Sequence, residues 1–255
     1  MSHTPELAGW NAVVTGSSSG IGRAIALELA LAGANVLIHA RRNEAAALAV
    51  AEEVREHGVE AEVVLVDIAE AEGPETLIRR AWKWRGDVDV WINNAGADIL
   101  TGEAAAWTFE KKLEHLWQVD VVGTLRLSRL VGARMKQRGK GAILNLGWDQ
   151  AWQGMAGDSG ELFATIKGAV MAFSRSLAQS LAPEVRVNCL APGWIKTSWG
   201  EGASQYWQNR ACEESLVGRW GTPTDIAQAA RFLVSPAAAF INGQIVNVNG
   251  GWKRG

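Results

Sequence analysis

The stretch Asn11-Ala12-Val13-Val14-Thr15-Gly16-Ser17-Ser18-Ser19-Gly20-Ile21-Gly22 decides the fold. Its first part, 11–15, is a short apolar run that reads as a buried strand. It breaks into glycine and serine. Residues 21–32 then repeat apolar side chains at helical spacing, with Ile21, Ala24, Ile25 and Leu29 on one stripe. Gly16 permits the tight turn, and Gly20 and Gly22 let loop backbone and helix come close. A helix start offers free N–H groups and a partial positive charge, which suits a pyrophosphate. A glycine motif alone is weak evidence and also describes a structural turn. The strand before it and the helix after it make this one a dinucleotide cradle.

Outward from this unit the same alternation repeats. Gly33 stops the first helix. Strands are expected over 35–40, 62–67, 88–93, 142–146, 185–190 and 244–248. Helices are expected over 44–57, 74–85, 110–136, 161–181 and 224–234, with 194–220 irregular and carrying helical pieces. Continuous apolar strands between helices are strands buried on both faces, hence a parallel sheet. The expected fold is α/β: a single-domain Rossmann fold over 1–255, with a doubly wound seven-stranded parallel sheet and helices on both faces. Its ligand belongs beyond the carboxyl ends of the strands, where strand order reverses.

Composition bounds the rest. The chain has 255 residues, a net charge of −2, 48% hydrophobic and 20% charged residues. That is an ordinary globular balance with no basic excess for nucleic acid. No apolar run reaches the ~18 residues a membrane helix needs. The first ten residues lack the basic and apolar regions of a secretion signal. Cys189 and Cys212 are too few for a disulfide framework, so a reducing cytoplasm is expected. No metal-ligand spacing stands out.

The end of the second strand separates the two nicotinamide dinucleotides. An NAD site places a carboxylate there for the ribose 2′-hydroxyl. Here Arg41 and Arg42 follow instead. A guanidinium suits a 2′-phosphate, so NADP(H) is favoured over NAD(H).

Several motifs occur in order. Thr15-Gly16-x-x-x-Gly20-x-Gly22 is followed by Asn93-Asn94-Ala95-Gly96 after the fourth strand. Pro192-Gly193 follows the sixth, and Asn249-Gly250-Gly251 lies near the end. In this the chain resembles the short-chain dehydrogenase/reductase family, and most of all its 3-oxoacyl-carrier-protein reductases, over nearly its whole length. The resemblance implies roles at matching positions. Ser17, Ser18, Ser19, Gly20 and Ile21 would meet the pyrophosphate and adenosine ribose. Asp67 and Ile68 would hold adenine, and Asn94, Ala95 and Gly96 would line the ribose. Pro192, Gly193, Ile195 and Thr197 would embrace the nicotinamide carboxamide. It also implies a homo-oligomer, dimer or tetramer, built through the helices near 107–136 and 161–181.

The same resemblance exposes a departure. The family protonates its substrate from a Tyr in a helical Tyr-x-x-x-Lys, whose spacing puts both side chains on one face. The Lys lowers the Tyr pKa and binds the nicotinamide ribose. A Ser at the end of the fifth strand polarises the carbonyl, and an Asn in the middle helix holds a water. Here the helix reads Phe163-Ala164-Thr165-Ile166-Lys167, with Phe163 in place of Tyr. Trp148 stands for Ser and Asp120 for Asn; Lys167 alone matches. The one tyrosine, Tyr206, lies in the irregular segment with Arg210 four residues on, so no shift of register restores the pair.

Asp149, Asp158, Ser159 and Glu161 fall near the expected mouth and read either as replacement acids or as loop and cap residues. The chain holds 13 Trp against 5 Phe. Trp148, Trp152, Trp194, Trp199 and Trp207 fall around the expected nicotinamide end. They read equally as packing or as a flat pocket for a ring-bearing or acyl small molecule. Trp82, Trp84, Trp91, Trp107 and Trp117 read as packing. The expected function is therefore an NADP(H)-binding, nominally oxidoreductase protein in which carbonyl reduction is absent or very slow. The alternatives are a non-catalytic cofactor sensor or partner subunit, and a carboxylate-based lyase or isomerase.

Overall fold

The computed structural model describes residues 5–253. The secretion-signal reading and the 1–255 boundary extend over residues 1–4 and 254–255, which lie outside the described residues. Strands β1 (Asn11–Val14), β2 (Asn35–Ala40), β3 (Ala61–Leu65), β4 (Val90–Asn93), β5 (Gly141–Leu146), β6 (Val185–Pro192) and β7 (Ile245–Val248) form one sheet. Every pairing is parallel, in the order β3-β2-β1-β4-β5-β6-β7. Strand order reverses between β1 and β4, so their carboxyl ends open the crevice that such sheets use for ligands. The expected Rossmann architecture is present.

Helices cover both faces, which is why β2 is buried at all six positions. On one face α1 (Gly20–Leu31), α2 (Glu44–Glu56) and α9 (Pro223–Val234) pack around Ile25, Leu29, Ile38 and Leu233. On the other, α3 (Gly73–Arg85), α5 (Thr124–Arg138) and α6 (Asp158–Leu181) pack around Trp91, Leu127 and Val131. A buried polar network crosses this second layer. Asn93 Nδ2 donates to Ser128 Oγ and to Asn145 Oδ1, both at 2.8 Å, and Asn145 Nδ2 donates to Ser174 Oγ at 2.9 Å. Satisfied networks of this kind hold one arrangement of their elements. This one sets β4, β5, α5 and α6 beneath the site.

The structure corrects two local expectations. Residues 110–136 are not one uniform helix. They form α4 (Phe109–Leu116), a π-helical segment (Trp117–Gly123) and α5. Apolar periodicity does not register a widened turn, and such turns gather at functional sites. Here it carries Asp120. The third strand stops at Leu65, because Asp67 Oδ1 accepts the Ala69 N–H and turns the chain. The irregular stretch 194–220 holds the expected helical pieces, α7 (Ser198–Gly202) and α8 (Gln205–Glu214).

Candidate active site

The glycine loop closes onto the β4 loop by direct contact. Gly16 has φ +63°, and a Cβ there would stand 2.8 Å from Ala95 Cα. A Cβ on Gly22 would meet Gly16 O at 2.3 Å and Asn94 Nδ2 at 2.4 Å. Asn94 Nδ2 donates to the carbonyls of Thr15 and Gly16, while Thr15 Oγ1 accepts the N–H groups of Asn94 and Ala95. The first turn of α1 has no side-chain cap, since Ser19 at its start makes none. This turn borders a cleft of about 750 Å³ together with Ser18, Ser19, Asp67 and Ile68. Gly96 and Thr197 border the same cleft. A glycine lip, an uncapped helix start and a cleft of this size fit a dinucleotide.

Not every expected cofactor residue faces the cleft. Arg41 borders it and Arg42 does not, although both are exposed. Ser17 is turned inward: its hydroxyl donates to Val14 O at 2.7 Å and accepts the His39 N–H at 3.0 Å. A residue not singled out above does more. His39 Nδ1 accepts the Gly16 N–H at 3.1 Å, and its Nε2 donates to Val66 O at 3.0 Å. That pattern requires the neutral ring, and burial pulls its pKa down to about 4. The sequence signal was a lone imidazole following the apolar run Val36-Leu37-Ile38 near the end of the second strand.

Around the expected nicotinamide end, the expected tetrad positions converge. Lys167 Nζ lies 2.8 Å from Asp120 Oδ2. Asp120 is 2% exposed, and its Oδ1 accepts the Ala97 N–H at 2.8 Å. Gly96 makes room for this carboxylate, since a Cβ there would sit 2.8 Å from Oδ2. Phe163, one turn before Lys167 on α6, meets Trp148 edge to face, with centroids 6.2 Å apart and planes at 69°. No hydroxyl stands at position 163.

The other candidate acids are dispersed. Asp158 and Glu161 are exposed, and Gly157 occupies the N-cap of α6, displacing the expected Asp158 or Ser159 cap. Ser159 alone of the four borders the aromatic cavity. Asp149 is buried behind Gly193, where Oδ2 accepts from Asn249 Nδ2 at 3.0 Å. Burial pushes its pKa up to about 6. Among the described residues no cluster of three or more His, Cys, Asp or Glu could hold a metal ion.

Four of the five expected tryptophans, Trp148, Trp194, Trp199 and Trp207, border a cavity of about 550 Å³ together with Phe163 and Lys167. Pro192, Gly193, Ile195 and Thr197 border it too, so the loop after β6 and the aromatic cavity are continuous. Trp152 does not join them. It is 60% exposed, with the Arg175 guanidinium 4.8 Å from its ring. Trp220, unassigned above, backs the group at 6.1 Å from Trp194. Trp91 is core as expected, whereas Trp117 stands exposed.

A parallel sheet with a reversal of strand order and a glycine-lipped cleft at that reversal define a dinucleotide-binding class of fold. Residues 16–253 match the family model described as enoyl-(acyl carrier protein) reductase, and the chain belongs to this short-chain dehydrogenase/reductase family. It is 32% identical to 3-oxoacyl-(acyl-carrier-protein) reductase FabG of Staphylococcus epidermidis, over 94% of this chain and 98% of that protein. The FabG of Aquifex aeolicus is 34% identical over 96% and 98%. Among solved structures, a 7α-hydroxysteroid dehydrogenase complexed with NADH and 7-oxo glycochenodeoxycholic acid superposes with TM-score 0.89 at 31% identity, covering 99% of this chain and 97% of that one.

Proposed function

We propose that this chain is an NADP(H)-binding member of its oxidoreductase family in which carbonyl reduction is absent or very slow. Ser18, Ser19, Gly20 and Ile21 would hold the pyrophosphate at the start of α1. Arg41 would hold the 2′-phosphate, and Asp67 and Ile68 the adenine. Asn94, Ala95 and Gly96 would line the ribose, with Pro192, Gly193, Ile195 and Thr197 around the carboxamide. A reduced nicotinamide bound there supplies a hydride. What this chain supplies is binding and orientation.

The observation that carries the proposal is the side chain at 163. Reduction needs a proton at the forming alkoxide, and a phenyl ring has none to give. Loss of a positioned acid costs about 10²–10⁴ in rate, and loss of one oxyanion donor about 10²–10³. The Trp148 indole N–H can donate a hydrogen bond, but its bulk fills the space a substrate carbonyl would take. Lys167 has its nearest charge partner in Asp120, which supports a site set for binding over turnover.

Two further readings travel with this one. The exposed apolar side chains Trp117 and Leu130 lie on the α4–α5 stretch, which supports a homo-oligomeric dimer or tetramer. Both cysteines are free, which suits a reducing cytoplasm, and no described helix is long and apolar enough to cross a membrane.

The test is a titration with NADPH and NADH, read by energy transfer from tryptophan to reduced nicotinamide, followed by NADPH oxidation with a carbonyl panel. The expected result is saturable binding, tighter for NADPH, without oxidation above background. Turnover of any panel carbonyl near the ordinary ~10 s⁻¹ would overturn it. Absence of binding would remove the cofactor reading itself.

A further inference from the structure

We infer that the cavity beside the nicotinamide loop takes an uncharged planar aromatic ligand, stacked on the indoles of Trp148, Trp194, Trp199 and Trp207. This deepens the proposed function, and rests on it only in placing the ligand beside the nicotinamide.

The walls are flat and held. Trp194 and Trp199 lie nearly parallel, 20° apart with centroids at 6.3 Å, and Trp207 stands 5.4 Å from Trp194. Trp194 cannot turn freely, because its Nε1 donates to Glu214 Oε2 at 2.7 Å. Trp220 packs against both Trp194 and Trp199. Indoles fixed in this way offer ring faces at little entropic cost.

Charge decides between classes of ligand. Aromatic walls alone would also suit a quaternary ammonium. Here the Arg210 guanidinium already lies 5.7 Å and 5.2 Å from the centroids of Trp194 and Trp207. Arg210 does not border the cavity, yet its charge this close to both rings opposes a second cation on them. Among the described residues no carboxylate borders the cavity to compensate. An anion fares no better. Arg210 Nε is engaged by Glu214 Oε1 at 2.6 Å, and Lys167 by Asp120. A carboxylate entering would lose its water and meet only a cation whose charge Asp120 already offsets. A flexible alkyl chain would gain burial but no ring–ring contact, and would lose rotamer freedom. The hydroxyl of Ser159, at the α6 edge of the cavity, offers one hydrogen bond to a polar substituent.

The test is calorimetric titration of the full chain, with and without NADP⁺, against four probes. They are 2-naphthol, 2-naphthoate, phenyltrimethylammonium and decan-1-ol. The expected result is that 2-naphthol binds saturably and at least about tenfold more tightly than each of the others. Trp207→Leu should weaken 2-naphthol about tenfold or more while NADPH affinity stays within about twofold. Trp207→Phe, which keeps a ring, should retain most of the affinity, and Trp148→Ala should weaken it independently. Equal or tighter binding of the anion, the cation or the alcohol would overturn the inference. So would the absence of saturable 2-naphthol binding by a folded chain, or 2-naphthol affinity left unchanged by both Trp207→Leu and Trp148→Ala. The arm without cofactor judges the aromatic ligand whatever the NADPH titration shows, so failure of the cofactor reading is seen separately.

Discussion

Asp120, carried on the π-helical segment, holds Lys167 of α6 at 2.8 Å and the Ala97 backbone N–H at 2.8 Å through its other oxygen. One carboxylate thus ties the middle helix, the β4 loop and the catalytic-position helix together. Removing one partner of a buried pair leaves the other charge uncompensated, which costs about 3–5 kcal/mol. Asp120→Ala should lose about 3 kcal/mol, at the lower end because Lys167 is partly exposed, and should also orphan the Ala97 N–H. Asp120→Asn keeps an acceptor for Ala97 and should lose clearly less. Urea unfolding of the two variants checks both.

Phe163 and Trp148, which the proposal above puts at the family's proton-donor and carbonyl-polarising positions, are in edge contact. Phe163→Tyr with Trp148→Ser removes that contact, opens space and restores both groups beside Lys167. The double variant should oxidise NADPH with a small ketone at least ~10²-fold faster than the parent chain. Each single change should give less than half of that gain on a logarithmic scale, because these groups act as a unit. Loss of NADPH absorbance measures it.

Two buried groups pull acid stability in opposite directions. His39 has its pKa lowered from 6.5 to about 4, so between these values the unfolded chain binds more protons and stability falls as pH falls. Asp149 has its pKa raised from 3.8 to about 6, so in that window the folded chain binds more protons and stability rises as pH falls. Each contributes about 3 kcal/mol across its window, and they nearly cancel. Relative to the parent chain, Asp149→Asn should become less stable from pH 7 to pH 4 by about 3 kcal/mol, and His39→Gln more stable by a similar amount. Unfolding curves at half-unit pH steps read the two slopes.

Arg41 borders the cleft at the end of β2, and Arg42 does not. A charge-assisted hydrogen bond to a phosphate at an exposed position is worth about 1.5 kcal/mol, or about tenfold in affinity. Arg41→Ala should weaken NADPH about tenfold and leave NADH within about twofold, while Arg42→Ala should change neither by more than about twofold. Titration by tryptophan-to-nicotinamide energy transfer compares them.

Much of the architecture was legible in the chain itself. Strand 11–14, the turn at Gly16 and the helix after Gly20 follow from short-range rules: apolar runs, helical spacing and glycine where backbone must come close. That Phe163 can donate no proton is likewise visible in the residue alone, because a phenyl ring has no acidic proton in any surroundings. The widened turn around Asp120 was not legible, since one extra residue in a turn leaves the apolar spacing of 110–136 nearly intact. The fates of chemically similar residues were not legible either. Trp152 turns to solvent while Trp220, which no motif marked, backs the aromatic cavity. Asp149 is buried behind Gly193 while Asp158 is exposed. His39 meets the Gly16 N–H across 23 positions of sequence, through the β1–β2 pairing. Local pattern specifies backbone conformation because its causes lie within a few residues. Which side chains meet is decided by sheet order and helix register, whose causes lie far apart along the chain.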